Sequence, residues 1–279
     1  MREVRFAAMG TRIELHLFGA GDADALFEAQ RAVEAVDDAL TIHRPSPATA
    51  LNERLASGGS VAVDDPLLLD ALSGICEAWR QTAGHFDPTA SAGQAGCWGD
   101  VRVDVAAARI EAEGPAALDF GGFGKGYALD RALSVLRRHG VRSALLSAGE
   151  SSIAALGEHP LGGAWPIAVP DPVQPGCELI LLEIVDQSMS VSATIGAGFM
   201  APGRAAMVRA SDGTVVTAPA TAIAIDDSGA LAEAISTALI VAPVAATQKL
   251  IRERPHGRHL FTHRGVPIVQ AGAYGTPDL

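Results

Sequence analysis

The sequence predicts an α+β fold, and three observations carry that prediction. Short runs of alternating apolar and polar residues follow one another along the chain, which is the period of strands. Segments of helical spacing fall between groups of such runs, not after each one as a doubly wound α/β chain would require. Gly and Pro punctuate the junctions.

The elements follow in order. Residues 5–18 alternate well enough for two strands with Met9-Gly10 at their turn. Residues 22–40 carry Ala25, Leu26, Ala29, Val33, Val36 and Leu40 at helical spacing, with Asp22 or Asp24 as cap and His43-Arg-Pro-Ser-Pro47 as stop. A second helix is predicted over 66–83, with Asp64 or Asp65 as cap, Pro66 near its first position and Gly84 beyond its end. Residues 85–99 read as a long loop, and long loops in compact domains are often functional. Strands are expected at 101–105 and 117–120, then a Gly-rich turn leading into a helix that runs to about His139. Further strands are expected at 143–147, 152–156, 164–169, 179–185, 189–193, 207–209, 215–216 and 221–225. Helices at 229–241 and 243–254 and two closing strands complete the reading.

The chain has 279 residues, which fits one domain over 1–279 built from two intimate subregions. Hydrophobic residues make up 48% and charged residues 19%, a globular composition. Lys and Arg number 21 against 32 Asp and Glu, a net charge of −11, which argues against nucleic-acid and anionic-membrane partners. A phosphorylated ligand would need a metal ion or backbone amides. No run reaches the ~18 apolar residues of a membrane span, and the best candidate, at 180–185, is broken by Glu183. The first six residues offer neither an apolar segment nor a Cys for lipid attachment, so a cytoplasmic location is expected. Cys76, Cys97 and Cys177 are odd in number and form no CxxC, which fits reduced thiols and argues against a zinc knuckle.

Three segments could carry chemistry. In Leu118-Asp-Phe-Gly-Gly-Phe-Gly-Lys-Gly-Tyr-Ala-Leu-Asp130, glycines and Lys125 stand at a strand-to-helix turn, where backbone amides and the helix dipole favour an anion. It is neither a Walker A loop nor a GxGxxG motif, and a Gly-rich turn with a surface Lys is the plainer alternative. In His85-Phe-Asp-Pro-Thr89 the proline forces Asp87 towards extended backbone, so its carboxylate and the Thr89 hydroxyl can point the same way; an Asx-type turn is the plainer alternative. In the helix Leu231-Ala-Glu-Ala-Ile-Ser-Thr-Ala238, Glu233 and Thr237 share a face beside Ser236, a hard-oxygen set suited to Mg²⁺. The alternative is a Glu favoured by the helix dipole and a Thr bonded back to a carbonyl.

In this order, and with Met9-Gly-Thr, Trp165-Pro-Ile-Ala-Val-Pro-Asp-Pro and Ala193-Thr-Ile-Gly in register, these segments resemble the FAD:protein FMN transferases, the ApbE-like flavin transferases. The resemblance runs from Met9 to Leu239. It implies FAD held in a cleft with Mg²⁺ on its pyrophosphate, FMN passed to a Thr or Ser hydroxyl of an acceptor protein, and AMP released. By match, Met9, His85, Phe86 and Asp87 would line the flavin site, and His43 stands where the family often has a flavin-stacking Tyr. Asp119 and Lys125 would contact the nucleotide, with Met207 in the same cofactor-binding set. The carbonyl of Gly122 with Glu233, Ser236 and Thr237 would form the metal site, and Thr194 would sit near the pyrophosphate.

The sequence departs from the family where members carry His-Ile-Ile-Asp-Pro-Arg-Thr-Gly. Here that stretch is Ala206-Met-Val-Arg-Ala-Ser-Asp-Gly213, so the His position is Ala206 and the Asp position is Arg209. The metal Asp is Glu233, one methylene longer. His85 is the expected substitute base, with Asp87 raising its pKa and Thr194 completing the catalytic set. Two other readings stay open: an FAD-binding protein that has lost transfer, and a hydrolase giving FMN and AMP.

Overall fold

The structure, a computed structural model, describes residues 1–19, 23–195 and 207–263. Strand β1 (Arg2–Ala8) pairs antiparallel with β2 (Thr11–Leu17) across Met9 and Gly10. Both turn residues have positive φ, 54° and 67°, as a two-residue turn matched to strand twist requires. Helix α1 (Ala23–Leu40) buries the predicted stripe, including Ala25, Ala29, Val33, Val36 and Leu40. Of the two proposed caps, Asp24 lies within the first turn of the helix, and Asp22 lies outside the described residues. Helix α2 (Pro47–Leu55), strand β3 (Gly59–Ala62) and helix α3 (Pro66–Gln81) follow. Asp65 caps α3, accepting from the Leu68 amide at 2.7 Å, and Gly84 at φ 77° ends it.

A 3₁₀ turn at Trp98–Asp100 leads into β4 (Val101–Asp104) and β5 (Arg109–Ala112), which form a three-stranded sheet in the order β3-β5-β4. Helix α4 (Gly124–Arg138) comes next, then β6 (Ala144–Ala148), β7 (Ser152–Leu156), β8 (Trp165–Pro170), β9 (Glu178–Ile184) and β10 (Ser188–Ala193). Beyond residue 207 lie β11 (Ala220–Asp226), α5 (Gly229–Val241), α6 (Val244–Glu253) and β12 (Arg258–Thr262).

Among the described residues the largest sheet has seven strands in the order β1-β2-β6-β7-β10-β11-β12, and every neighbouring pair is antiparallel. Side-chain alternation sorts its two faces. On β11, Ala222 and Ala224 join the core beneath the helices, whereas Ile223 and Ile225 join a second core under the β8–β9 hairpin with Trp165, Ile167 and Leu182. Helix α5 is apolar on nearly every side and lies buried between β10, β11 and α4. The same alternation on β10 turns Met189 and Val191 to the hairpin and leaves Ser190 and Ser192 facing α5.

Several expectations change. Helix α2 stands where only a helix stop was read: Ser46 caps it in a reciprocal box with Thr49, and Pro47 occupies its first turn. Strands β3 and β5, four residues each, were not expected. Residues 117–120 are not a strand, because their backbone is met from elsewhere. Asn52 bonds both the amide and carbonyl of Leu118, at 2.8 and 2.9 Å, and the Asp119 amide donates to the Pro88 carbonyl. Residues 207–209 and 215–216 form a single bridge, Val208 to Val215, within a short hairpin. Of the two closing strands, β12 is present and the other lies outside the described residues.

Candidate functional site

The Gly-rich turn builds a helix crossing. A Cβ on Gly126 would come within 2.0 Å of the Gly229 carbonyl oxygen, so α4 and α5 touch backbone to backbone there. Asp130, one turn on, caps α5 by accepting from Ser228 Oγ and the amides of Gly229 and Ala230 at 2.8, 2.6 and 3.0 Å. Burial raises its pKa against the pull of those donors. Glu233 lies one turn further along α5. Its Oε2 accepts from the Gly126 amide at 2.8 Å and its Oε1 is paired with Lys125 Nζ.

A cleft of two adjoining lobes opens above this crossing. One, of about 270 Å³, is lined by His85, Phe86, Asp87, Met207, Glu233 and Thr237 among others. The other, of about 140 Å³, is lined by Met9, Asp37, Ile42, His43 and Phe120 among others. Asp119, Gly121 and Lys125 belong to both. The residues expected to share one flavin site are therefore divided: Met9 and His43 in the smaller lobe, His85, Phe86 and Asp87 in the larger.

The outer wall of the larger lobe is made of loops locked to each other by backbone. The Gly93 amide donates to the Gly213 carbonyl at 2.9 Å and the Gly96 amide to the Ala210 carbonyl at 2.7 Å. A Cβ at Gly213, whose φ is 69°, would lie 2.3 Å from the Gln94 amide nitrogen. Asp87 fastens the first loop: Oδ1 accepts from the Thr89 amide and hydroxyl at 2.8 and 2.6 Å, and Oδ2 from the Trp98 amide at 3.2 Å. That carboxylate is spent on Thr89 and Trp98. The expected rise in the His85 pKa is therefore reversed: burial lowers it, which keeps the half-buried imidazole neutral at pH 7.

Of the oxygen set, Glu233 and Thr237 face the cleft, and Gly122 lies against Thr237, whose Oγ1 would be 3.2 Å from a Cβ there. Ser236 is fully buried, bonded to Ser190, Ser192 and the Glu233 carbonyl, and does not line the cleft. Among the described residues no three His, Cys, Asp or Glu side chains are grouped to hold a metal. Thr194 is not brought to the cleft lining. Its hydroxyl donates to the Ala218 carbonyl at 2.7 Å and accepts from the Ala220 amide at 2.9 Å, clamping the loop between them. His43 is exposed at the mouth of the smaller lobe, and Asp119 Oδ1 accepts from the Gly121 amide at 2.7 Å.

The model of the ApbE family covers residues 9–261. The chain belongs to the ApbE family. A Rhodobacter capsulatus protein named FAD:protein FMN transferase is 30% identical over 205 residues, 61% of this chain; the chain spans only 38% of that relative's length. The flavinyl transferase ApbE of Pseudomonas stutzeri, in its apo form, superposes with a TM-score of 0.80 at 19% identity, over 96% of this chain and 93% of that one. The flavin transferase ApbE of Vibrio cholerae does so with 0.78 at 16% identity, over 96% of both chains. These likenesses establish the ApbE fold. Within it, the His position of the family segment, Ala206, lies outside the described residues, and Arg209 sits on the 207–216 hairpin.

Sequence reasoning missed Asp37, Ser151, Ser190, Ser192 and Gly96. Asp37 lies in a regular helix, yet its Oδ1 accepts from the Met9 amide at 2.8 Å and its Oδ2 from Arg44, steadying the left-handed Met9 at the smaller lobe. Ser190 and Ser192 sit in an ordinary strand pattern, and only the pairing of β10 with α5 turns them to the cleft. Gly96 is required because a Cβ would fall 2.4 Å from the Asp87 carboxylate.

Proposed function

We propose that this protein transfers the FMN half of FAD to a Thr or Ser hydroxyl of an acceptor protein and releases AMP. The observation that carries the reading is the pair of lobes meeting at Asp119, Gly121 and Lys125, with Glu233 of the larger lobe paired to Lys125, above a crossing of two helices at glycines. A dinucleotide has two ends joined by a charged pyrophosphate, and this cleft offers two lobes joined by a charged centre. In this reading His43 and Met9 receive one ring system, His85, Phe86 and Met207 line the other end, and Lys125 faces the phosphates.

The donor chemistry suits Mg²⁺. Glu233, Thr237 and the Gly122 carbonyl are hard oxygens, and an ammonium already sits on the Glu233 carboxylate, which marks the position as a seat for positive charge. When bound, Mg²⁺ would neutralise charge on the pyrophosphate oxygens. In the transfer itself the acceptor oxygen bonds to the FMN phosphorus, the bond from that phosphorus to the AMP oxygen breaks, and the hydroxyl proton leaves. His85, neutral through burial, is the candidate to take that proton. Asp87 acts through the loop it fastens.

Binding of FAD without transfer is the second reading. It is favoured by Ala206 and Arg209, which stand where the resemblance puts the His and the Asp of the family segment. The domain is proposed as one unit, in the cytoplasm, with reduced Cys76, Cys97 and Cys177, which form no disulfide. Among the described residues no helix is long and apolar enough to cross a membrane. Incubation with FAD, Mg²⁺ and a Thr-bearing acceptor domain, followed by mass spectrometry, separates the readings. An FMN adduct with AMP is expected; AMP and FMN without adduct would point to hydrolysis, and intact bound FAD to binding alone.

A further inference from the structure

The centre of the cleft holds a cation that belongs to the protein. Glu233 is 4% exposed, and both of its carboxylate oxygens are engaged, one by Lys125 Nζ and one by the Gly126 amide. A carboxylate so stripped of water needs a positive partner at all times. The two partners differ in freedom. The Gly126 amide is fixed by the helix crossing. Lys125 is 22% exposed and borders both lobes, so its ammonium can turn from Glu233 to the cleft while its backbone stays in place.

We propose that Lys125 is an exchangeable counterion of Glu233. It neutralises the carboxylate while the cleft is empty and turns to the pyrophosphate when FAD enters, so the divalent ion takes Glu233 only as Lys125 leaves it. This rests on the reading of the cleft as an FAD site. A metal ion arriving first meets an ammonium already in its seat, and the two positive charges repel. A dinucleotide arriving first gives that ammonium a new partner and frees the carboxylate. The two ligands therefore bind with positive coupling, and by linkage each tightens the other by the same factor. Replacing the ammonium with a neutral side chain has opposite effects on the two ligands. Metal alone binds better and FAD alone binds worse, whereas a lysine with a merely structural role would weaken both.

The test uses the full chain, with Mn²⁺ followed by electron paramagnetic resonance and FAD by its fluorescence. In the wild type, saturating FAD is expected to tighten Mn²⁺ about tenfold, within the usual range of couplings. Lys125→Met should bind Mn²⁺ several-fold more tightly in the absence of FAD, bind metal-free FAD more weakly, and show a smaller coupling factor. Lys125→Arg keeps the charge and should keep the wild-type pattern. Circular dichroism checks the fold. If Lys125→Met is unfolded without metal, Mn²⁺ should restore it, since the carboxylate then has a cation again; failure to restore it would count against the proposal. The neutral double variant Lys125→Met/Glu233→Gln needs no counterion and should lose Mn²⁺ binding. Mn²⁺ binding in Lys125→Met no tighter than wild type, undiminished coupling, or wild-type Mn²⁺ binding by the double variant would overturn the proposal. Absence of FAD binding to the wild type would instead remove the FAD reading itself.

Discussion

The two walls of the cleft are built by different means. The inner wall is helix on helix: α4 and α5 cross at Gly126 and Gly229, Asp130 caps α5, and Glu233 bonds the Gly126 amide from below. The outer wall is loop on loop, held by the Gly93–Gly213 and Gly96–Ala210 backbone bonds and the Asp87 carboxylate. The inner wall belongs to the main core. The outer wall carries Met207 and His85 on segments outside regular helices and strands. Stability and ligand binding should therefore separate: damage to the glycine crossing should unfold the protein, and damage to the outer loops should empty the cleft.

The largest effect is expected inside. Gly126→Val forces a side chain into the Gly229 backbone. Overpacking of this kind costs about 3 kcal/mol, or roughly 10 °C in Tm. A Tm within about 2 °C of wild type, the scale of a 1 kcal/mol change in a chain this large, would show that the crossing tolerates separation.

Outside, Gly213→Ala should displace the hairpin from the Gln94 backbone. FAD affinity is expected to fall about tenfold, which is about 1.4 kcal/mol, while Tm moves little. A large fall in Tm with intact affinity would reverse the assignment of the two walls. Asp87→Asn tests the same wall more mildly, since the amide can keep one acceptor for the Thr89 and Trp98 donors.

These two walls were not equally legible in the sequence. The inner wall was partly readable because glycines and a lysine cluster where a helix begins, and the α5 residues keep helical spacing. What could not be read was that Lys125 and Glu233, 108 positions apart, would pair with each other. The outer wall was legible only as a loop. Its geometry depends on backbone contacts between residues 93–96 and 210–213, and side-chain patterns carry no record of those. Residues 117–120 show the converse: they have strand composition, but Asn52 and Pro88 take the backbone bonds a neighbouring strand would have made. Helix α2 was hidden because Pro47 marks a helix start as readily as a stop.

The pH response has a stability part and an activity part. Burial lowers the pKa of His85 in the outer wall and of His259 and His263 near β12 from their ordinary 6.5. As pH falls through 6.5 the unfolded chain takes up these protons first, so stability is full above that value and is lost on the acid side. The urea midpoint at pH 5.5 should lie below that at pH 7.5, and His259→Asn, if it folds, should shrink the difference. Any transfer activity should persist at pH 7 and fall only below pH 6.5, because His85 must be neutral to act. An activity that rises as the solution is acidified would exclude His85 as the base. The smallest effect is expected at Arg80→Ala. It removes an exposed pair with Glu77 on α3 and should leave both Tm and FAD affinity unchanged within error.

Hydrogen exchange with and without FAD and Mg²⁺ reads both lobes at once. New protection is expected in three separate segments: the Met9–His43 side, the Gly121–Gly126 turn, and the His85–Gly96 loop with its 207–216 hairpin. Protection confined to one lobe, or centred away from Lys125 and Glu233, would contradict a dinucleotide lying across the cleft.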